Sequence, residues 1–314
     1  MEIIKITEKE FLNILQEQND IPIWSSEIAL YAYQEKELIK VVNHNQVLAI
    51  FLIPLDNKGV RRKYRFFPYI SPVLIENRDT LQEKNINKMI FHYLFSKYDY
   101  TFIPLSPNYK AISAIASQGG FVEMRHTHVV RKALKMEELN PKLRNHIRSA
   151  EKKLVLKVDK DSKTFDFQRA IKGKDEEQKE RSIITKKIIN NNQGFYVKAY
   201  LNQEIVAGIT IVFDKEWAYL LHSYQKEKIR GAVPYMILKA MEIAFEEKKV
   251  KYFDFEGSVI DDIDDFFASF NAEIITYPYV IYAKKEKDFF NLINRSIQIE
   301  GRIKEIDERN SNGN

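Results

Sequence analysis

Tyr252-Phe253-Asp254-Phe255-Glu256-Gly257-Ser258, followed by a segment running from Asp261 to Phe270-Asn271-Ala272, is the stretch on which the fold turns. Alternation predicts a short strand here, with Phe253 and Phe255 on one face and Tyr252, Asp254 and Glu256 on the other. After the glycine, Asp261 to Ser269 reads as a helix and Ile274 to Ala283 as a further strand. The same order occurs earlier in the chain. Strand Tyr100-Thr101-Phe102-Ile103 leads to a helix from Tyr109 to Ser117, a Gly119-Gly120 stop and a strand from Phe121 to Arg131. Tyr100 and Tyr252 are separated by the same number of residues as Ala116-Ser117 and Ala268-Ser269.

Working outward, the duplication continues. Ile39 to Val42 and Val47 to Leu55 read as a hairpin, matched later by Phe195 to Leu201 and Ile205 to Phe213. A helix from Asn85 to Ser96 corresponds to one from Pro234 to Glu247. Any alternating chain aligns in part by chance, but a steady offset with matched order favours two similar units. The expectation is an α/β (α+β) protein of two tandem domains, each a mixed, mainly antiparallel sheet flanked by helices. Residues 1–134 and 135–285 would be the domains, and 286–314 a C-terminal amphipathic helix with a frayed tail.

Composition narrows the function classes. A 314-residue chain has room for two such domains, and 45% hydrophobic with 30% charged residues is an ordinary globular balance. Having no cysteine excludes disulfides, thiolate metal sites and cysteine nucleophiles. The start has neither a basic nor an apolar leader, and Val47 to Leu55 is too short to span a bilayer, so a cytoplasmic protein is expected. A net charge of +5 suits an anionic ligand without requiring one.

Asn140-Pro141 is a helix start, with Asn as cap and Pro at the first position. In that helix Leu143, Ile147, Ala150 and Leu154 form an apolar stripe, while Arg144, Arg148 and Lys152 stack on another face. The cations either bind an anion or are a solvated face.

The run Pro141-Lys142-Leu143-Arg144-Asn145-His146-Ile147-Arg148-Ser149-Ala150-Glu151-Lys152-Lys153-Leu154-Val155-Leu156-Lys157-Val158 resembles the motif opening the second domain of FemAB/FemX-like peptidyltransferases. It departs from that motif at Lys153-Leu154, where a glycine is common. The stretch Phe253 to Ala272 resembles a second motif of the same family, which is built from tandem N-acetyltransferase-like (GNAT) domains. The resemblance implies acyl or aminoacyl transfer to an amine acceptor, a small molecule or a cell-wall precursor of peptidoglycan, from acyl-CoA or aminoacyl-tRNA. It implies that Arg144 and Arg148 hold acceptor phosphates and that Trp24 lies near the acceptor. Phe267 stands where the peptidyltransferases often carry lysine, which puts the aminoacyl-tRNA route in doubt.

Glu216 to Gln225 reads as a strand, followed by a loop with Lys228-Ile229-Arg230-Gly231-Ala232-Val233 and a helix from Pro234. Strand, loop and helix start in that order are the GNAT donor site, and N–H groups at a helix start suit phosphate. Arg230 and Gly231 are the donor-binding candidates, with Tyr224, Tyr252 and Ser258 near the same place. Alternation puts His222 and Tyr224 on the face of Ala218 and Leu220. His222 is a candidate base or hydrogen-bond donor to an acyl oxygen, or a core histidine. Asp254 and Glu256 are candidates to take the amine proton, or simply bond nearby backbone. His126 and His128 form a close pair with no carboxylate at ligand spacing in sequence, so no metal is expected.

The basic, aromatic run Arg61 to Pro72 suits either a cleft wall or single-stranded nucleic acid. No Walker loop, G-x-G-x-x-G, H-E-x-x-H or G-x-S-x-G occurs. The alternative to an acyltransferase is a catalytically degenerate tandem-GNAT protein that binds an anionic ligand. A nucleic-acid-binding module is a third reading.

Overall fold

The computed structural model describes residues 1–61, 67–75, 79–107, 109–160, 175–256 and 261–299. In chain order these give β1 (Glu2–Lys5), α1 (Glu8–Gln16), α2 (Glu27–Ala32), β2 (Lys36–Asn43), β3 (Gln46–Pro54), β4 (Gly59–Arg61) and β5 (Val73–Leu74). There follow α3 (Thr80–Lys97), β6 (Tyr100–Pro104), α4 (Ile112–Ala116), β7 (Phe121–Val130), α5 (Pro141–Glu151), β8 (Val155–Asp159) and α6 (Asp175–Asn190). The remainder is β9 (Gly194–Leu201), β10 (Glu204–Phe213), β11 (Trp217–Gln225), α7 (Ala232–Glu242), β12 (Tyr252–Asp254), α8 (Asp261–Ala268), β13 (Glu273–Ala283) and α9 (Glu286–Ile299). Among the described residues no helix is long and apolar enough to cross a membrane.

Local chemistry sets many of these boundaries. Asp79 Oδ1 accepts the N–H groups of Leu81 and Gln82, both at 2.9 Å, and so starts α3. Asn140 accepts from Lys142 at 3.0 Å with Pro141 behind it, the cap expected for α5. The turn joining β9 to β10 places Asn202 and Gln203 both at positive φ, 49° and 70°, as a two-residue hairpin with right-handed strand twist requires. Gly119, at φ 85°, stops the chain after α4.

The chain forms two compact units that are not contiguous in sequence. One takes the described residues up to His126, Asp261 and those from Thr276 onward; the other takes the described residues of Thr127–Gly257 and Asp262–Ile275. In the first unit β1, β2, β3 and β5 form one sheet, and β4, β6, β13 and β7 are neighbours in that order. α9 packs there: Leu292, Phe289 and Ile293 cover Phe102, Tyr279 and Ile281.

In the second unit the strand order is β7-β12-β11-β10-β9-β8. The buried stripe of α5 (Leu143, Ile147, Ala150) joins Met236, Ile237 and Ala240 of α7 against Val197, Ile209, Ile211 and Leu220 of the sheet. Phe253, Phe255 and Phe270 complete this core, with Phe255 and Phe270 ring centroids 5.3 Å apart. Helices α5 and α7 thus pack against one face of this sheet.

Candidate functional site

In the second unit β11 and β12 run parallel, yet pair only over Trp217↔Tyr252, Ala218↔Phe253 and Tyr219↔Asp254. β12 then ends, while β11 continues to Gln225 paired with β10 on its other side. Among the described residues, the backbone edge of β11 beyond Tyr219 has no strand neighbour on the β12 side. Unpaired strand N–H and C=O groups are ready partners for an extended ligand.

The ends of the two strands carry the sequence candidates. Asp254 is fully buried, and its Oδ1 accepts from Thr127 Oγ1 at 2.5 Å and from the Glu256 N–H at 2.7 Å. The backbone-bonding role for Asp254 is therefore present. Glu256 sits just past the strand at φ 64°, a left-handed conformation that costs a non-glycine residue about 1 kcal/mol or more. Asp254 holds that conformation through its bond to the Glu256 N–H. Tyr252, at the other end of the pair, stacks on Trp217 with centroids 4.4 Å apart.

His222 and Tyr224 do not share a face with Ala218 and Leu220. The register against β10 slips between Thr210 and Ile211, so that Thr210 faces His222 while Ile211 faces Leu220, with Leu221 as the extra residue. A bulge of this kind inverts alternation beyond it. His222 and Tyr224 consequently lie on the opposite face, in rows with residues that the motifs did not flag. Tyr196, Thr210 and His222 form one row across β9, β10 and β11; Lys198, Gly208 and Tyr224 form the next.

This second face is polar and covered by α6. Thr185 Oγ1 lies 3.5 Å from His222 Nε2, and Ile189 packs with Tyr196 and Tyr224. Burial, with the nearby Arg181 charge adding to it, pushes the His222 imidazole well below its ordinary pKa. The ring is neutral at physiological pH. Lys198 is wholly buried and bonds both Asp159 carboxylate oxygens at 2.9 Å, the pairing a buried ammonium needs. Its position was readable in principle: Lys198 has the parity of Tyr196, whereas Phe195 and Val197 have that of the core.

Arg144 is half-buried and Arg148 exposed on α5, and Arg230 is exposed in the loop before α7. Arg230 reaches α5 electrostatically. Partial burial first, then the charges of Arg230 and Lys142, lower the His146 pKa. Gly231 caps α7 at φ 88°, and a Cβ there would lie 2.1 Å from the His146 carbonyl oxygen. Only glycine permits that approach of α5 to the start of α7.

The helix start does not form the phosphate cradle its position suggested. α7 begins at Ala232 rather than Pro234, and the Ala232 N–H bonds the Ile229 carbonyl at 3.1 Å. Pro234, now the third helical residue, has no N–H to offer. The cationic side chains of Lys228 and Arg230, not backbone N–H groups, dominate this end. The residues present do not fit the backbone cradle that the pyrophosphate of acyl-CoA takes.

Trp24 belongs to the first unit and is buried in its core, edge-on to Phe67 at 4.9 Å. It is packing. Ser258 lies outside the described residues, as do Arg62 to Phe66 of the basic aromatic run. No carboxylate stands at ligand spacing from the histidine pair in sequence, but the fold brings one to His128, whose Nε2 lies 2.9 Å from Asp264 Oδ1. Helix α8 carries that carboxylate in from far along the chain, where local spacing gives no sign of it.

No protein-family model matches the sequence, and no curated protein matches it. Solved structures match the fold. FemX superposes with a TM-score of 0.62 at 11% identity, over 93% of this chain and 100% of that one. The C-terminal domain of a putative lysylphosphatidylglycerol synthetase from Agrobacterium fabrum gives 0.58 at 12%, over 93% and 97%. L-PGS from Bacillus licheniformis gives 0.58 at 9% identity with the same coverages. The chain thus has the α/β fold of FemX, as the resemblance implied. At these identities the likeness concerns fold alone.

Proposed function

We propose that this chain, with the fold of FemX, transfers an acyl or aminoacyl group to an amine acceptor in its second unit. The carrying observation is the parting of β11 and β12 after three pairs, which among the described residues leaves the far end of β11 without a strand partner on that side. An acyl donor laid along that edge has its carbonyl among fixed backbone dipoles, which supports attack without a covalent nucleophile. Such a route needs no cysteine.

Acyl transfer to an amine requires the nitrogen to lose a proton. Glu256 is assigned as its acceptor, since it is half-buried and sits where the strands part. Asp254 is assigned as the positioning residue that fixes Glu256 through its N–H. His222, kept neutral by burial, suits a hydrogen bond to the acyl oxygen or acceptor better than proton abstraction, because a base works best with a pKa near the working pH. Arg144, Arg148 and Arg230 are assigned to anionic parts of acceptor or donor. Because the start of α7 does not fit the pyrophosphate cradle, no step is routed through acyl-CoA, and aminoacyl-tRNA stands beside it as donor. A cytoplasmic location and a cell-wall-precursor acceptor belong to the same proposal.

The second reading is an anion-binding protein without turnover. It is favoured by Asp254, whose Oδ1 already holds Thr127 and the backbone. Calorimetric titration with acetyl-CoA, with adenosine 3′,5′-bisphosphate as control, and filter binding of charged tRNA test the proposal together. Saturable binding of one donor, weakened by Arg230→Ala, is expected. If a folded sample binds neither, the transferase reading fails. Turnover lost in Glu256→Gln with donor affinity kept separates the enzyme from the binder.

A further inference from the structure

The geometry points to a second ligand site, in the first unit, that takes a small zwitterionic peptide of dipeptide size. A cavity of about 580 Å³ opens where β2 begins, β3 ends and the β4/β6 pair starts. That volume falls within the range of small-molecule sites. It lies wholly in the first unit, so it is distinct from the parted strands of the second and does not rest on the transfer reading.

The floor of the cavity is built rather than incidental. Gly59 has no side chain, and a Cβ there would stand 2.5 Å from the Tyr100 ring, so the ring lies directly on the β4 backbone. Asp56 accepts a hydrogen bond from the Tyr100 hydroxyl and fixes the ring edge. Around this aromatic floor stand two carboxylates, Glu35 and Asp56, and two cations, Lys58 and Arg61. Among the described residues none of Glu35, Lys58 and Arg61 has an ion-pair partner.

The balance of charge selects the ligand. A pure anion would meet the cations but be repelled by Glu35 and Asp56; a pure cation would face the reverse. A molecule with an ammonium at one end and a carboxylate at the other satisfies both sets, with its middle over the Tyr100 ring. A dipeptide has those groups at its two ends, and it fills more of the space than a single amino acid does. The exposed amide of Asn57 is placed to meet its peptide group.

The test is calorimetric titration of the full chain with Ala-Ala, repeated with N-acetyl-Ala-Ala and with Ala-Ala amide. Saturable binding of Ala-Ala is expected. Arg61→Ala and Glu35→Gln should each weaken it about tenfold or more, the size of one lost hydrogen bond to a charged group. Each capped peptide should weaken similarly, because each lacks one charge. Glu35 is exposed, so Glu35→Gln serves if Arg61→Ala does not fold. No Ala-Ala binding overturns the site; so does binding that both variants leave unchanged. Equal binding of the capped peptides overturns the zwitterionic class.

Discussion

The two units contain the same parallel strand pair in different settings. In the first, Gly59, Val60 and Arg61 of β4 face Tyr100, Thr101 and Phe102 of β6; in the second, Trp217, Ala218 and Tyr219 of β11 face Tyr252, Phe253 and Asp254 of β12. Tyr100 and Tyr252, the tyrosines that first suggested the repeat, occupy the same place in each pair. What differs is the partner strand. Among the described residues β4 is three residues long, with Val60 bridged to Leu55 just past β3, whereas β11 has nine residues and pairs with β10 from Ala218 to Gln225. Among the described residues, one setting leaves the far part of β11 unpaired on the β12 side; the other ends in a charged cavity over an aromatic ring. A duplicated scaffold keeps its strand pairing because the core demands it, while the lengths of the flanking strands decide what each copy exposes.

That contrast can be broken most forcefully at Trp24. If the first unit uses this residue for packing alone, Trp24→Ala should cost about 3–5 kcal/mol of unfolding free energy in chemical denaturation. A stable variant with altered ligand binding would restore Trp24 to a binding role. The two glycines at positive φ offer a second comparison. Gly231→Ala in the second unit meets the His146 backbone and should cost about 3 kcal/mol, against about 1 kcal/mol for Gly119→Ala, which shares the positive φ but has open space around it. Equal losses would mean that the contact of α5 with the start of α7 is not tight.

The aspartates beside the two strand pairs should also differ. Asp254, buried with two bonds on one oxygen, should lose about 2 kcal/mol on change to Ala, and Asp56, half-buried with Tyr100, about 1 kcal/mol. Asp254→Asn should keep most of the stability, because an amide oxygen still accepts both bonds.

The smallest effect is in pH. His222 has a lowered folded pKa, so the unfolded chain binds a proton that the folded one does not. Its contribution is fully present above the unfolded value of about 6.5 and is lost as pH falls from there toward the folded pKa. In the first unit, burial works to raise Glu37, but hydrogen bonds from Lys5, Lys97 and Tyr93 outweigh it and lower its pKa. Glu37 therefore loses stability only as pH falls below the ordinary carboxylate range. Denaturation midpoints across acid pH should show the earlier loss vanish in His222→Gln and the later one persist.

Local rules made much of this legible. The cap at Asn140, the stripe of Leu143, Ile147 and Ala150, and the Tyr100/Tyr252 offset all follow from short-range geometry that a sequence displays. The faces of β11 were not legible, because one extra residue at Leu221 inverts every parity after it and nothing in the composition marks a bulge. The same holds for Asp264 beside His128 and Asp159 beside Lys198, pairs set by the meeting of elements distant in sequence. Pro234 was visible, but its consequence depended on α7 beginning at Ala232.

The division of the chain bears on how it is made. The first unit needs β13 between β6 and β7, and the part of β13 it uses starts at Thr276. During synthesis the early elements emerge long before that strand does, so the unit that is translated first cannot be finished first. Until then the flank of β6 lies open to pairing with any other chain. A fragment ending at His126 would keep that opening, and sedimentation should show it associating where the full chain does not.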